Sequence, residues 1–253
     1  MKHAEAIKEL LYKMGDDAFI MGHRNSEWTG LAPTLEEDIS FSSIAQDQIG
    51  HALAAYTLLH EHLAEPNPDV IGFTRKETAF TCCHLVELPN GEYDFSLIRH
   101  FLFDHAEMLR YQALTKSAFL PLAQLAGKII GELKYHILHA NTWVKQLGNA
   151  TEEAKARLQS SLNELMPFAL GMFEPGKHEA TLVQEGIFIG EEALKTQWLQ
   201  TIEGIINQTQ LKLPDTATLT PVYGGRHGYH TEYLQPLLTE MTEVFRIDES
   251  AEW

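Results

Sequence analysis

Apolar residues recur at intervals of three and four along much of the chain, which is the period of an amphipathic helix. The first such stretch predicts a helix over residues 2–29. Its apolar face comprises Ile7, Leu11, Met14, Ala18 and Met21. The same period predicts long helices over residues 36–65, 93–120 and 122–147. Four long helices with short connections favour an antiparallel four-helix bundle.

Proline marks the ends of these helices. Pro33 separates the first helix from the second, and Thr34 is a suitable N-cap for the second. Pro121 lies between the third and fourth helices. We expect a tight antiparallel turn there, because a single kinked helix of about fifty residues would be far longer than usual.

The remaining stretches are shorter. Residues 69–91 show only brief apolar runs and predict a long connection packed across the bundle. Residues 151–250 predict additional helices, the main ones over about 151–173, 191–210 and 231–245. No Gly/Ser-rich or charge-rich linker divides the chain, so the sequence predicts a single all-α domain over residues 1–253.

Charge and composition narrow the classes of partner. The chain has 19 Lys and Arg against 35 Asp and Glu, a net charge of -16, which argues against nucleic acid or an anionic membrane surface as the main partner. No apolar run approaches the roughly 18 residues of a membrane span, and the first residues lack a signal-peptide pattern. Cys82 and Cys83 are adjacent and poorly placed for a disulfide. A cytoplasmic protein that binds another protein or a small ligand is expected.

Two helices carry a pair of residues that points at the bundle interior. Gln48 and His51 lie three residues apart, as do Leu133 and His136, so each pair lies on one helical face. In di-iron bundles, two helices each supply a Glu-x-x-His pair and the other two each supply one carboxylate. Residues equidistant from a tight turn lie at the same height, so turns centred near Pro33 and Leu120 place Ala18 and Asp104 at the carboxylate positions. The six positions are therefore Ala18, Gln48, His51, Asp104, Leu133 and His136.

These six positions predict a vestigial site that binds no metal. A di-iron centre needs several anionic oxygen ligands, and only Asp104 supplies one. The main interpretation is that both histidines are hydrogen-bonded in the core, with Asp104 buried between them. One alternative is a single metal ion held by His51, Asp104 and His136, since two histidines and a carboxylate can form a mononuclear iron site. Glu132 and Glu107 lie off the inward face and favour a solvated or interhelical role.

Several motifs resemble one protein family. Residues 27–35 (EWTGLAPTL) and 46–51 (QDQIGH) are similar to the two-helix signature of the ring-oxidising proteins of phenylacetate catabolism, a ferritin-like group within the bacterial multicomponent monooxygenases. Catalytic members carry Glu where this chain has Ala18, Gln48 and Leu133. Further stretches resemble the non-catalytic members more specifically: residues 72–75 (GFTR), 86–91 (VELPNG), 134–136 (KYH), 146–149 (QLGN), 185–187 (EGI) and 224–232 (GGRHGYHTE).

This resemblance implies a ferritin-like bundle with additional C-terminal helices and a structural role in an oxygenase complex. The complex would epoxidise the ring of phenylacetyl-CoA, with the di-iron centre in a partner catalytic subunit and no cofactor in this chain. A homodimer is one possible state of the chain when it is alone. The alternative is a ferritin-like metal-binding oxidase that acts on its own through a reduced His/Asp site. Trp28 and Tyr56 are candidates for partner contact, although a core role is favoured for either aromatic ring.

Overall fold

The computed structural model describes residues 3–248 of the chain, and this range contains ten α-helices and no β-strand. The all-α class predicted from the sequence is therefore confirmed. The helices are α1 (Ala4–Ser26), α2 (Leu35–Leu63), α3 (Pro68–Phe73), α4 (His84–Glu87), α5 (Tyr93–Leu114), α6 (Leu120–Leu147), α7 (Glu152–Gly171), α8 (Glu179–Gln184), α9 (Glu191–Ile206) and α10 (Leu234–Met241).

The first two helices pack closely along each other. Gly15 and Gly22 of α1 allow this approach, because a Cβ atom on Gly15 would lie 2.5 Å from the Tyr56 ring and one on Gly22 would lie 2.9 Å from Ile49. The side chain of Thr34 accepts a hydrogen bond from the Glu37 amide, as expected of an N-cap. Tyr56 is buried in this interface, which is the core role that the sequence favoured over a partner contact.

The helices α5 and α6 form a second, antiparallel pair. Asp104 contacts His136, and the earlier His100 contacts the later His139. The turn predicted at Pro121 is confirmed, with this proline in the first turn of α6. However, α5 ends at Leu114 rather than residue 120, because residues 115–119 form the turn and the Ala118 amide donates to the Gly186 carbonyl at 2.9 Å.

The later helices cover the second pair. Both α7 and α9 pack on α5, and Trp198 of α9 is fully buried, with its indole N–H donating to the Leu102 carbonyl at 2.9 Å. One continuous cluster of buried apolar side chains includes residues from α1 through α10. In the described range, no helix is both long and apolar enough to cross a membrane.

Most predicted boundaries lie within three residues of those observed, and the connections account for the larger differences. The stretch predicted as an irregular connection at 69–91 contains α3 and α4. Their helical patterns are too short to recognise as a period. The last predicted helix, 231–245, is shorter, because α10 spans only Leu234–Met241.

Candidate functional site

Three of the six predicted inward positions carry side chains that cannot supply an anionic ligand to a metal ion. Ala18 and Leu133 are buried apolar residues. The side chain of Gln48 is buried, and its carbonyl oxygen accepts a hydrogen bond from Asn25 Nδ2 at 2.8 Å. These side chains fill the interior without supplying an anionic ligand.

The height rule misplaces Ala18 relative to Gln48. Gly22, rather than Ala18, packs against Ile49, the residue that follows Gln48. Ala18 therefore lies about one helical turn further from the connection than predicted. The rule assumes a tight turn centred on Pro33, whereas the chain makes hydrogen-bonded turns at Trp28 and Thr29 before α2 begins at Leu35.

Asp104 has the predicted burial but only one of its two predicted neighbours. It is completely buried, and its Oδ1 lies 3.8 Å from His136 Nδ1. The second neighbour is His100, not His51, with Nδ1 at 2.5 Å from Asp104 Oδ2. This close contact has a poor hydrogen-bond angle, and within residues 3–248 neither oxygen of Asp104 nor either ring nitrogen of His100 has a hydrogen bond.

His51 and His136 each contact a carboxylate across the packing of α2 against α6. His51 Nε2 lies 2.7 Å from Glu132 Oε2, and His136 Nε2 lies 3.1 Å from Asp47 Oδ2. The prediction that His51 contacts Asp104 is therefore wrong, whereas Glu132 of α6 contacts His51 of α2 in the interhelical role that the sequence allowed. The long Glu132 side chain reaches His51 although its own helical position is half-exposed.

The histidines continue as a row through the interior. The ring centroids of His51 and His136 are 6.1 Å apart, those of His136 and His100 are 6.1 Å apart, and those of His100 and His139 are 5.5 Å apart. His139 Nε2 then contacts Glu37 Oε2 at 2.9 Å. We call His51, His136, His100 and His139 the histidine row. The sequence analysis did not identify His100 and His139. Neither histidine belongs to a ligand spacing that is repeated between helices, and their contacts form only when α2, α5 and α6 pack together.

Charge is unevenly distributed along the histidine row. Burial opposes a charge on His136, but the nearby carboxylates of Asp104 and Asp47 outweigh it and raise the pKa of His136 to about 9. Burial lowers the pKa values of His51 and His100, so both are neutral at pH 7. Burial alone would raise the pKa of Asp104, yet His100 and His136 hold it below its usual value. The histidine row therefore holds a charged His136 beside the Asp104 carboxylate, with neutral imidazoles at His51 and His100.

A second polar region surrounds α1, and the sequence analysis did not predict it. Asp17 accepts hydrogen bonds from both terminal nitrogens of Arg226 at 2.7 Å each, and from the Cys83 amide at 2.8 Å. Asp16 binds Arg75 at 2.5 Å and accepts from the Tyr56 hydroxyl at 2.7 Å. The available signal was the Asp16-Asp17 pair inside an apolar run, since buried carboxylates require partners.

The same region continues through a buried lysine. Lys13 forms a close ion pair with Glu191 at the start of α9, and Arg110 of α5 binds the same carboxylate at 2.6 Å. Burial lowers the pKa of Lys13 to about 8 despite Glu191. We call Lys13, Asp16 and Asp17 with their partners Glu191, Arg110, Arg75 and Arg226 the α1 ion network. Its carboxylates are fully used in holding α1 to segments that are distant in the chain.

The residues of the histidine row do not fit a two-iron centre. Such a centre draws on four carboxylates in this class of bundle, whereas the inward positions supply Asp104 alone. Asp47 and Glu132 approach only the outer nitrogens of His136 and His51. The arrangement can hold a proton on the buried His136 ring beside the Asp104 carboxylate, but it offers no set of oxygen ligands around a common point.

The fold and the site define an all-α protein with a buried carboxylate beside a row of histidines. The chain belongs to the phenylacetic acid catabolic protein family, whose model matches residues 1–253. It is 30% identical over 241 residues to the C subunit of the 1,2-phenylacetyl-CoA epoxidase of Escherichia coli strain K12. That alignment covers 95% of this chain and 96% of the relative. The family resemblance inferred from the motifs is confirmed.

Proposed function

We propose that this chain is the non-catalytic structural subunit of a phenylacetyl-CoA epoxidase, the counterpart of the C subunit in the Escherichia coli enzyme. The observation that carries the proposal is the near end-to-end similarity to that protein. The inward positions support it, because Ala18 and Leu133 are buried apolar residues and Gln48 is engaged by Asn25. A chain with this interior contributes shape and binding surface to an oxygenase.

The proposal extends to the partners and the cofactor. The chain is a single ferritin-like domain, it works in the cytoplasm, and it binds the catalytic subunit that carries the di-iron centre. It supplies no ligand to that centre from its own interior, and Ala18, Gln48, His51, Asp104, Leu133 and His136 are vestigial positions. Without the catalytic subunit, it forms a homodimer.

The start of α2 offers a surface for the catalytic subunit. Leu35 and Ile39 lie one turn apart on α2, Leu31 lies in the connection before this helix, and between 57% and 74% of each residue is exposed. Patches of exposed apolar side chains mark protein interaction sites. We expect the double substitution Leu35→Asp and Ile39→Asp to weaken association with the catalytic subunit while leaving the fold intact. Ile247→Asp is the matched control, because Ile247 is 81% exposed and lies near the opposite end of the sequence.

Metal analysis tests the non-catalytic assignment. The purified chain, loaded anaerobically with Fe²⁺ and then treated with a mild chelator, should retain far less than one iron per chain and should not consume O₂ with a reductase alone. Nearly two irons per chain after chelation would contradict the proposal and support the stand-alone oxidase.

The role of Asp104 gives a second test. Asp104→Asn should reduce the stability of the chain, because it removes the partner of a charged His136, but it should leave turnover per assembled complex unchanged. Loss of turnover in a complex that folds and assembles normally would show that Asp104 takes part in the reaction.

A further inference from the structure

Cys82, Glu87 and His230 form a compact cluster outside both polar regions described above. The Sγ atom of Cys82 lies 3.6 Å from Glu87 Oε1 and 4.0 Å from His230 Nδ1, and that nitrogen lies 2.7 Å from the same Glu87 oxygen. All three side chains are almost completely buried. Their potential ligand atoms all lie within 4.8 Å of one another, which is close enough for the three residues to share one metal ion.

Neighbouring groups orient each potential ligand atom of the cluster. His230 Nε2 donates to the Phe80 carbonyl at 3.0 Å, which leaves Nδ1 directed at Cys82 and Glu87. Glu87 Oε2 accepts from the amide and hydroxyl of Thr231 at 2.7 and 2.6 Å, which leaves Oε1 directed inward. Metal-binding histidines usually donate their second N–H to a carbonyl or carboxylate, and metal-binding carboxylates are usually hydrogen-bonded in this way.

The spacing of the three atoms resembles one face of a zinc tetrahedron. Zinc–ligand bonds of about 2.3 Å to sulfur and 2.0 Å to nitrogen and oxygen imply separations of about 3.5 Å from sulfur to either atom and about 3.3 Å from nitrogen to oxygen. The Cys82 to Glu87 distance of 3.6 Å already lies near this value, whereas the Cys82 to His230 distance of 4.0 Å is about half an ångström longer. Metal binding therefore requires the His230 to Glu87 contact to open, and the Cys82 to His230 contact to close, by about half an ångström each. We propose that Cys82, Glu87 and His230 bind one Zn²⁺ ion.

The ion would replace two protons in a buried network. Without metal, both ring nitrogens of His230 face oxygen acceptors, so the ring is doubly protonated and paired with the Glu87 carboxylate. Zinc takes the place of the Nδ1 proton and of the Cys82 thiol proton, so the cluster stays neutral. A water molecule can complete the tetrahedron.

A zinc ion here would connect two distant parts of the chain. Cys82 and Glu87 belong to the segment that ends in α4, whereas His230 lies 143 residues beyond Glu87 in the segment before α10. The site is closed to solvent, which is typical of structural rather than catalytic zinc. Zinc should therefore stabilise the docking of the C-terminal segment on the bundle.

Cobalt binding tests the site in the full-length chain, purified without a histidine tag and stripped of metal. We expect one Co²⁺ per chain, a thiolate-to-cobalt charge-transfer band, and displacement of cobalt by Zn²⁺. Cys82→Ser and His230→Gln should weaken Co²⁺ binding by more than about 100-fold, since even changes to the residues that orient ligands cost 10- to 100-fold. Circular dichroism checks that each variant is folded.

Cys83→Ser is the matched control, because Cys83 is an equally buried neighbour that lies outside the cluster. It should keep both the charge-transfer band and the affinity. X-ray absorption of the wild-type zinc complex measures the metal–ligand distances directly and requires no variant. We expect one sulfur at about 2.3 Å and nitrogen or oxygen ligands at about 2.0 Å. No stoichiometric binding, a first shell without sulfur, or equal losses in the two cysteine variants would overturn the proposal.

Discussion

The histidine row and the α1 ion network are both buried and polar, yet their polar atoms are used differently. Asp17 of the network accepts three hydrogen bonds of 2.7–2.8 Å from Arg226 and the Cys83 amide. Asp104, which lies beside the histidine row, makes close contacts with His100 and His136 but has no well-aligned hydrogen bond within the described range. The carboxylate oxygens of the network are all hydrogen-bonded, as expected of a structural device, whereas buried atoms of Asp104 and His100 are left without a hydrogen bond in the described range.

The largest difference between the two regions should appear when one carboxylate is neutralised. Asp17→Asn leaves the Arg226 guanidinium buried without its partner, and we expect a loss of about 3–5 kcal/mol in the free energy of unfolding. Urea denaturation measures this loss. Glu153→Gln is the control, because Glu153 pairs with Arg157 on the exposed face of α7, and it should cost less than about 0.5 kcal/mol. A loss below about 1 kcal/mol for Asp17→Asn would mean that the network is not structural.

The histidine row should reveal itself through pH. Because the folded pKa of His136 is about 9, above the unfolded value of about 6.5, its charge stabilises the fold fully below pH 6.5. This contribution is lost as pH rises through 9, and its full size is about 3 kcal/mol. The difference in unfolding free energy between wild type and His136→Gln should therefore shrink between pH 6.5 and 10.

Asp47→Asn sharpens this experiment. It keeps His136 but removes one of the two carboxylates that raise its pKa, so the same fall in stability should occur at lower pH. A difference between wild type and His136→Gln that does not change with pH would show that His136 is neutral and that Asp104 lacks its counter-charge.

A smaller effect should come from the glycine that positions Arg226. A Cβ atom on Gly225 would lie 2.0 Å from the Cys82 carbonyl oxygen, so Gly225→Ala forces the backbone to move and should cost about 1–3 kcal/mol. Gly204→Ala is the matched control in α9, where a Cβ meets nothing within 4 Å. It should stabilise the chain by up to about 1 kcal/mol. Thermal unfolding measures the stability of both variants. Equal changes in stability for Gly225→Ala and Gly204→Ala would show that the C-terminal segment docks loosely.

The sequence predicted the long helices and one of the two cross-helix alignments of the site. Amphipathic patterns of more than twenty residues predicted α1, α2, α5 and α6, and the tight turn before α6 correctly placed Asp104 opposite His136. The looser connection before α2 displaced the Ala18 prediction by about a turn. The Asp17 to Arg226 pair spans 209 positions, and no local period indicates a contact between residues that the fold alone brings together.

Reconstitution of the oxygenase tests the central claim most directly. The catalytic subunit and its reductase are assayed for phenylacetyl-CoA epoxidation with and without this chain, and the mixtures are separated by size exclusion. The account predicts a stable hetero-oligomer whose activity disappears when this chain is omitted. Full activity from the catalytic subunit and reductase alone, with this chain eluting separately, would contradict it.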